Sequence, residues 1–118
     1  MISAEIQERY LQDSLPTRLG GLAANLARIV SFSKNAKATR AIESLIEESR
    51  WFIEWSAPEL LPNRVNDAAY LVEVHRGLTH WYWIWNQVRD DPIQRQKLAE
   101  QAQEWSIEIL YMSGLVEE

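Results

Sequence analysis

A chain of 118 residues, 47% of them hydrophobic and 25% charged, has the composition of a folded globular protein. At that length a single domain over residues 1–118 should bury about two-thirds of its unfolded surface without staples. The formal net charge of −5 argues against electrostatic capture of nucleic acid or anionic membranes, and the absence of cysteine excludes disulfides, thiolate metal sites and a cysteine nucleophile.

The opening residues, MISAEIQERY, show no basic stretch leading into an apolar run, so no signal peptide is read there. Nowhere does the chain approach the ~18 apolar residues of a membrane span. The expectation is a cytoplasmic protein that does not engage a membrane. Six tryptophans are the compositional oddity. They are spread over three predicted helices, which suits core and interface better than a single aromatic cage.

In chain order, residues 3–13 read as a short helix, with Ile2, Ile6 and Tyr10 at four-residue spacing. Ser14 suits an N-cap and Pro16 the first turn of the next helix, residues 15–33. Leu15, Leu19, Leu22, Leu26, Ile29 and Val30 form its core stripe, and Gly20, Ala24, Ala27 and Ser31 lie opposite. Large apolar groups on one side and tiny ones on the other suit close approach from both. That suits a central helix of a monomer, and the alternative makes the Gly20, Ala24 and Ala27 face a candidate seam against a second subunit. Gly20 and Gly21 each cost about 1 kcal/mol relative to alanine, which a close-packing role would justify.

The third helix is expected over residues 36–56, with Asn35 as its cap. Ala38, Ala41, Ile42, Leu45, Ser49 and Phe52 face inward, Ile46 and Ile53 hold one flank, and Trp51 and Trp55 hold the other. Residues 57–65, with Pro58 and Pro62, are expected to form a loop whose prolines stop the helix. Residues 66–90 carry the strongest pattern, with Leu71, Val74, His75, Leu78, Trp81, Tyr82, Trp85 and Val88 on one broad face. Its aromatic and aliphatic groups make it the main source of core energy. The last helix, residues 92–113, starts on Asp91 and Pro92 with Gln94 at N3 and buries Leu98, Ala102, Trp105, Ile109 and Met112. Gly114 should stop it, and residues 115–118 should fray. Long helices with short connections predict an all-α, up-down antiparallel bundle of four long helices plus a short N-terminal one.

Few residues point to chemistry. His75 falls within the aromatic stripe, where a bundle-core histidine can ligate a tetrapyrrole packed on Trp81, Trp85 and Trp105. His80 lies nearly opposite on the helix, so a second ligand would have to be Met112 or come from a partner. The alternative is a neutral His75 hydrogen-bonded to a carbonyl or to a side chain such as Ser49. A di-metal centre needs Glu-x-x-His pairs, and no Glu stands three residues before either histidine. No Gly-rich phosphate loop, nucleophile elbow or zinc motif is present.

Arg76, His80, Trp83 and Gln87 share the face opposite the core stripe, and Trp and Arg are enriched at interaction hot spots. The last helix repeats the pattern more weakly, with Ile93, Ile107 and Tyr111 among Glu100 and Glu104 on its outer side. Arg76 and His80 also invite comparison with helical-bundle ribonucleases of the HEPN class, which place an Arg and, after four to six residues, a His on a late helix. Here only Gly77, Leu78 and Thr79 intervene, so the motif does not match. The two side chains still share one face, where an Arg could hold a phosphate and a His could move a proton.

The expectation is a non-catalytic protein-interaction module without a cofactor. It self-associates as a homodimer through Gly20, Ala24 and Ala27 or through Arg76, His80, Trp83 and Gln87. The alternatives are a bundle holding an apolar cofactor near His75 and a HEPN-like ribonuclease using Arg76 and His80.

Overall fold

The computed structural model describes residues 3–116. Ile2, expected on the inner side of the first helix, and residues 117 and 118 of the expected frayed end lie outside them. The five helices are α1 (Ala4–Gln12), α2 (Leu15–Ser33), α3 (Thr39–Leu60), α4 (Val65–Val88) and α5 (Pro92–Ser113), and no strand occurs among the described residues. They form an all-α antiparallel bundle of four long helices, with the short α1 packed through Tyr10 against α2 and α3. No helix among the described residues is long and apolar enough to cross a membrane.

Three helix starts carry side-chain caps, two of them, Ser14 and Asp91, as the sequence signals predicted, and Ser3, read as already inside the first helix, is the third. Ser3 accepts from the Ile6 N–H, Ser14 accepts from the Thr17 N–H ahead of Pro16, and Asp91 accepts from the Ile93 and Gln94 N–H groups ahead of Pro92. Gly114 ends α5 in the left-handed conformation at φ 76°, as its position predicted.

The ends of α3 depart from expectation. Asn35 does not cap it. Its Oδ1 accepts from the Lys37 N–H at 2.9 Å and shapes a turn, and α3 starts later, at Thr39, behind an Ala38 that offers no side-chain cap. At the other end the helix runs through Pro58 to Leu60, so the expected nine-residue loop shrinks to four residues, 61–64. Pro58 forfeits one helical hydrogen bond. Tertiary contacts offset it: Leu60 and Ser56 are buried, and Glu59 holds Arg18 through both carboxylate oxygens, at 2.6 and 2.7 Å. The α4 helix, in turn, stops two residues short of the expected Asp90, capped by the Arg89 N–H on the Trp85 carbonyl.

The core is built from the predicted stripes. Leu19, Leu22, Leu26 and Ile29 of α2, Ile42, Ile46 and Ile53 of α3, Leu71, Val74, Leu78, Trp81 and Trp85 of α4, and Leu98, Ala102 and Ile109 of α5 are all buried. Each such large side chain contributes about 1.5–3 kcal/mol. The α2 helix lies between α3 and α5, and α3 packs on α4. Between α4 and α5 the contact is made mainly by indoles. Trp105 lies on Gly77, and Trp81 donates its Nε1–H to Gln101 Oε1 at 2.8 Å. Trp85 fills the interior behind them and donates to the Thr39 carbonyl at 3.2 Å.

The α1 helix is fixed by Tyr10, whose ring stacks on Phe52 with centroids 3.9 Å apart and whose hydroxyl donates to the Arg18 carbonyl at 2.9 Å. Burial pushes the Tyr10 phenol up to about 12. Tyr70 on α4 is likewise pushed up to about 12, by burial first and then by the carboxylates of Glu108 and Glu104. A phenol whose pKa is raised by folding leaves stability unchanged below its ordinary value of about 10 and erodes it as pH rises from there. Denaturant midpoints should therefore fall across the interval from about 10 up to about 12. A Tyr10→Phe/Tyr70→Phe variant should start lower, for want of the Tyr10 hydrogen bonds, and lose less over that interval. Parallel curves would show that the two phenols do not carry the alkaline loss.

Candidate interaction surface

The core face of α4 leaves its opposite face to solvent. Arg76, His80, Trp83 and Gln87 all lie there and are all exposed, and Trp83 presents 74% of its surface. Its ring meets only the edge of Tyr82 among the aromatic contacts of the described residues, at 6.1 Å. Arg76 pairs with Glu73 at 3.1 Å, but both side chains are exposed, so that pair adds little stability.

Two further apolar residues extend this face towards the start of the helix: Val65, 59% exposed, and Val72, 50% exposed. The sequence reading missed both, because Val65 was assigned to a loop and Val72 lies off the core stripe. A signal was available. Val65 and Val72 are seven residues apart, as are Ala69, Arg76 and Trp83, and the two series interleave as in a coiled-coil seam.

The other predicted seam is divided. A Cβ built on Gly20 would come within 2.6 Å of Leu115 Cδ1, so the tail beyond α5 already covers this glycine. Leu115, expected to fray, is instead placed by its N–H on the Ser113 hydroxyl at 3.1 Å. Ser106 of α5 donates to the neighbouring Ala23 carbonyl at 2.8 Å. Ala24 is half-buried, and only Ala27 of the three is open to solvent.

His75 turns towards α3 and away from the indole-filled α4/α5 contact. Its Nδ1 lies 3.5 Å from the Thr79 hydroxyl, and its buried Nε2 stands 3.5 Å from Glu54 Oε2 without a hydrogen bond. The suggested Ser49 partner is not used, since the buried Ser49 Oγ also has no hydrogen-bond partner. Arg50 completes this side, donating to Thr79 Oγ1 at 3.0 Å and lying 4.8 Å above the Tyr82 ring. Among the described residues no group of three or more His, Asp or Glu side chains could hold a metal ion. Arg76 and His80 sit on the convex outer face of α4, and neither of the two main grooves includes them.

Comparisons with family models, with curated proteins and with solved structures return no match for this chain. Its function must be read from its own geometry.

One feature of that geometry had no sequence signal. Arg95, at the start of α5, is only 7% exposed, yet it faces no carboxylate among the described residues. Its guanidinium donates to the carbonyls of Arg89, Ser33, Asn35 and Ala36 and to the Thr39 hydroxyl, and lies 5.6 Å above the Trp85 ring. Two of those carbonyls end α2 and α4, where the helix dipole favours a cation. Arg18 resembles it in burial but has Glu59 as a partner, and the shared hydrogen bonds hold the Glu59 carboxyl below the usual carboxylate range.

Proposed function

We propose that this chain is a non-catalytic interaction module that self-associates through the outward face of α4. The observation that carries the reading is Trp83, exposed over 74% of its surface on the same helix face as Val65 and Val72. Leaving an indole in water forgoes about 2–3 kcal/mol of burial, which a protein partner can recover. A two-fold antiparallel pairing would set the Trp83 end of one α4 beside Val65 and Val72 of the other, making a self-complementary contact. His80 and Gln87 then flank it, and Arg76, paired with Glu73 on its own helix, lies near the two-fold axis. Leu115 covers Gly20, so the α2 face offers only Ala24 and Ala27, and it plays no part in the proposed contact.

Light scattering on a size-exclusion peak tests this directly. The wild type should run near twice 13.8 kDa, and Trp83→Ala or Val72→Glu should return it to the monomer mass, with a cooperative melt that no longer shifts with protein concentration. Dimer dissociation should become easier by at least about tenfold for Trp83→Ala, the scale of an interface hot spot. A wild-type protein that stays monomeric at high concentration, or a dimer indifferent to both substitutions, would sink the reading.

A further inference from the structure

A groove of about 590 Å³ opens at the end of the bundle where the α2–α3 turn meets the α4–α5 turn. Its volume falls within the ~300–1,000 Å³ of small-molecule sites. Val30, Ala36, Pro92 and Ala99 give it apolar walls. Lys34, Arg89 and the buried Arg95 also line it, against the two carboxylates of Asp90 and Glu100. Positive groups are therefore in excess here, on a chain whose formal net charge is −5.

The disposition of these charges favours an anion. Arg95 spends its hydrogen bonds on neutral carbonyls and a hydroxyl, so no carboxylate offsets its charge beneath the groove, and only the C-terminal ends of α2 and α4 reduce it. Lys34 and Arg89 are exposed at the rim and form no ion pair among the described residues. Set against the carboxylates of Asp90 and Glu100, the three positive groups leave the lining one unit positive. A field of this kind acts through partly desolvated walls, where it is stronger than in bulk water.

We infer that this groove binds a small amphipathic anion, with its apolar body along Val30 and Ala99 and its carboxylate or equivalent head between Lys34 and Arg89. Arg95 positions the surrounding turns and supplies charge from below, without touching the ligand. The site is separate from the α4 face, so it can fail or hold independently of the self-association reading.

The test uses the full chain carrying Trp83→Ala, which removes the most exposed aromatic side chain among the described residues. Anilinonaphthalene sulfonate serves as the fluorescent probe, displaced by decanoate or by decyltrimethylammonium, a cation of matching chain length. Decanoate should compete at least about tenfold better than the cation. Lys34→Glu/Arg89→Glu, at two exposed positions, should weaken decanoate about tenfold or more by replacing attraction with repulsion. Ala99→Phe should block both probe and decanoate, and its thermal melt reports whether the fold is intact. The inference is overturned if no saturable binding occurs or the cation competes equally well. It is overturned equally if the charge reversal leaves decanoate affinity unchanged.

Discussion

Arg95→Met should destabilise the protein by about 3 kcal/mol, a large share of the stability of a domain this size. Methionine keeps most of the stem's volume over Trp85 but removes every hydrogen bond of the guanidinium. Four carbonyls, those of Arg89, Ser33, Asn35 and Ala36, and the Thr39 hydroxyl lose this donor together, while Asn35 keeps the Ala38 N–H and Ala36 the Thr39 hydroxyl. A hydrogen bond to a charged group is worth about 1.5–3 kcal/mol singly, but these five act as one unit beside an open groove, where water can replace some of them. The net therefore falls well below the sum. Arg95→Lys should recover less than half of the loss, because an ammonium cannot span acceptors on two turns as a planar fork does. Urea unfolding would read this as a lower midpoint at unchanged slope. A wild-type midpoint for Arg95→Met would mean that the two turns hold themselves.

A second large effect should separate two glycines that look alike in sequence. Gly21 and Gly77 both lie inside long helices, where alanine is better by about 1 kcal/mol on propensity alone. At Gly21 an added Cβ would meet nothing within 4 Å, so Gly21→Ala should stabilise by about that amount. At Gly77 the Cβ would fall 2.6 and 2.7 Å from Cζ2 and Cη2 of Trp105. The indole is rigid, so relief requires moving the whole ring or spreading α4 from α5. Gly77→Ala should lose about 2 kcal/mol despite its better propensity. Paired thermal melts give the comparison, and the two substitutions should move the midpoint in opposite directions. A stabilised Gly77→Ala would show that the indole has room to retreat. At Gly20 the obstructing atom is the tip of the flexible Leu115 side chain, so Gly20→Ala should change little.

These cases mark what could be read in the sequence. The 3.6-residue rhythm of Leu19, Leu22, Leu26 and Ile29, and of Leu71, Val74, Leu78, Trp81 and Trp85, placed the core correctly because burial follows helical geometry directly. The Ser14 and Asp91 caps were legible for the same reason, since the cap and the N–H groups it accepts from are local in sequence. Pro58 misled because a local breaker was outweighed by remote contacts, the burial of Leu60 and the grip of Arg18 on Glu59. Arg95 was invisible. Its acceptor on Asn35 lies 60 positions away, and no local pattern distinguishes a buried arginine from a solvated one. The cover on Gly20 was not legible, because the residue that provides it, Leu115, belongs to a stretch assigned to fraying. Trp83, by contrast, was placed on the outer face of its helix by position alone.

The ties made by Arg95 also bear on chain connectivity. The turn from α2 to α3 is clasped on both sides of Lys37: the carbonyls of Asn35 and Ala36 before it and the Thr39 hydroxyl after it all meet the same guanidinium. A backbone opened beside Lys37 would leave each new end tethered to α5 by a side chain from another part of the sequence. Covalent continuity and spatial continuity are thus separable at this corner, where the fold should outlast a cut in the chain.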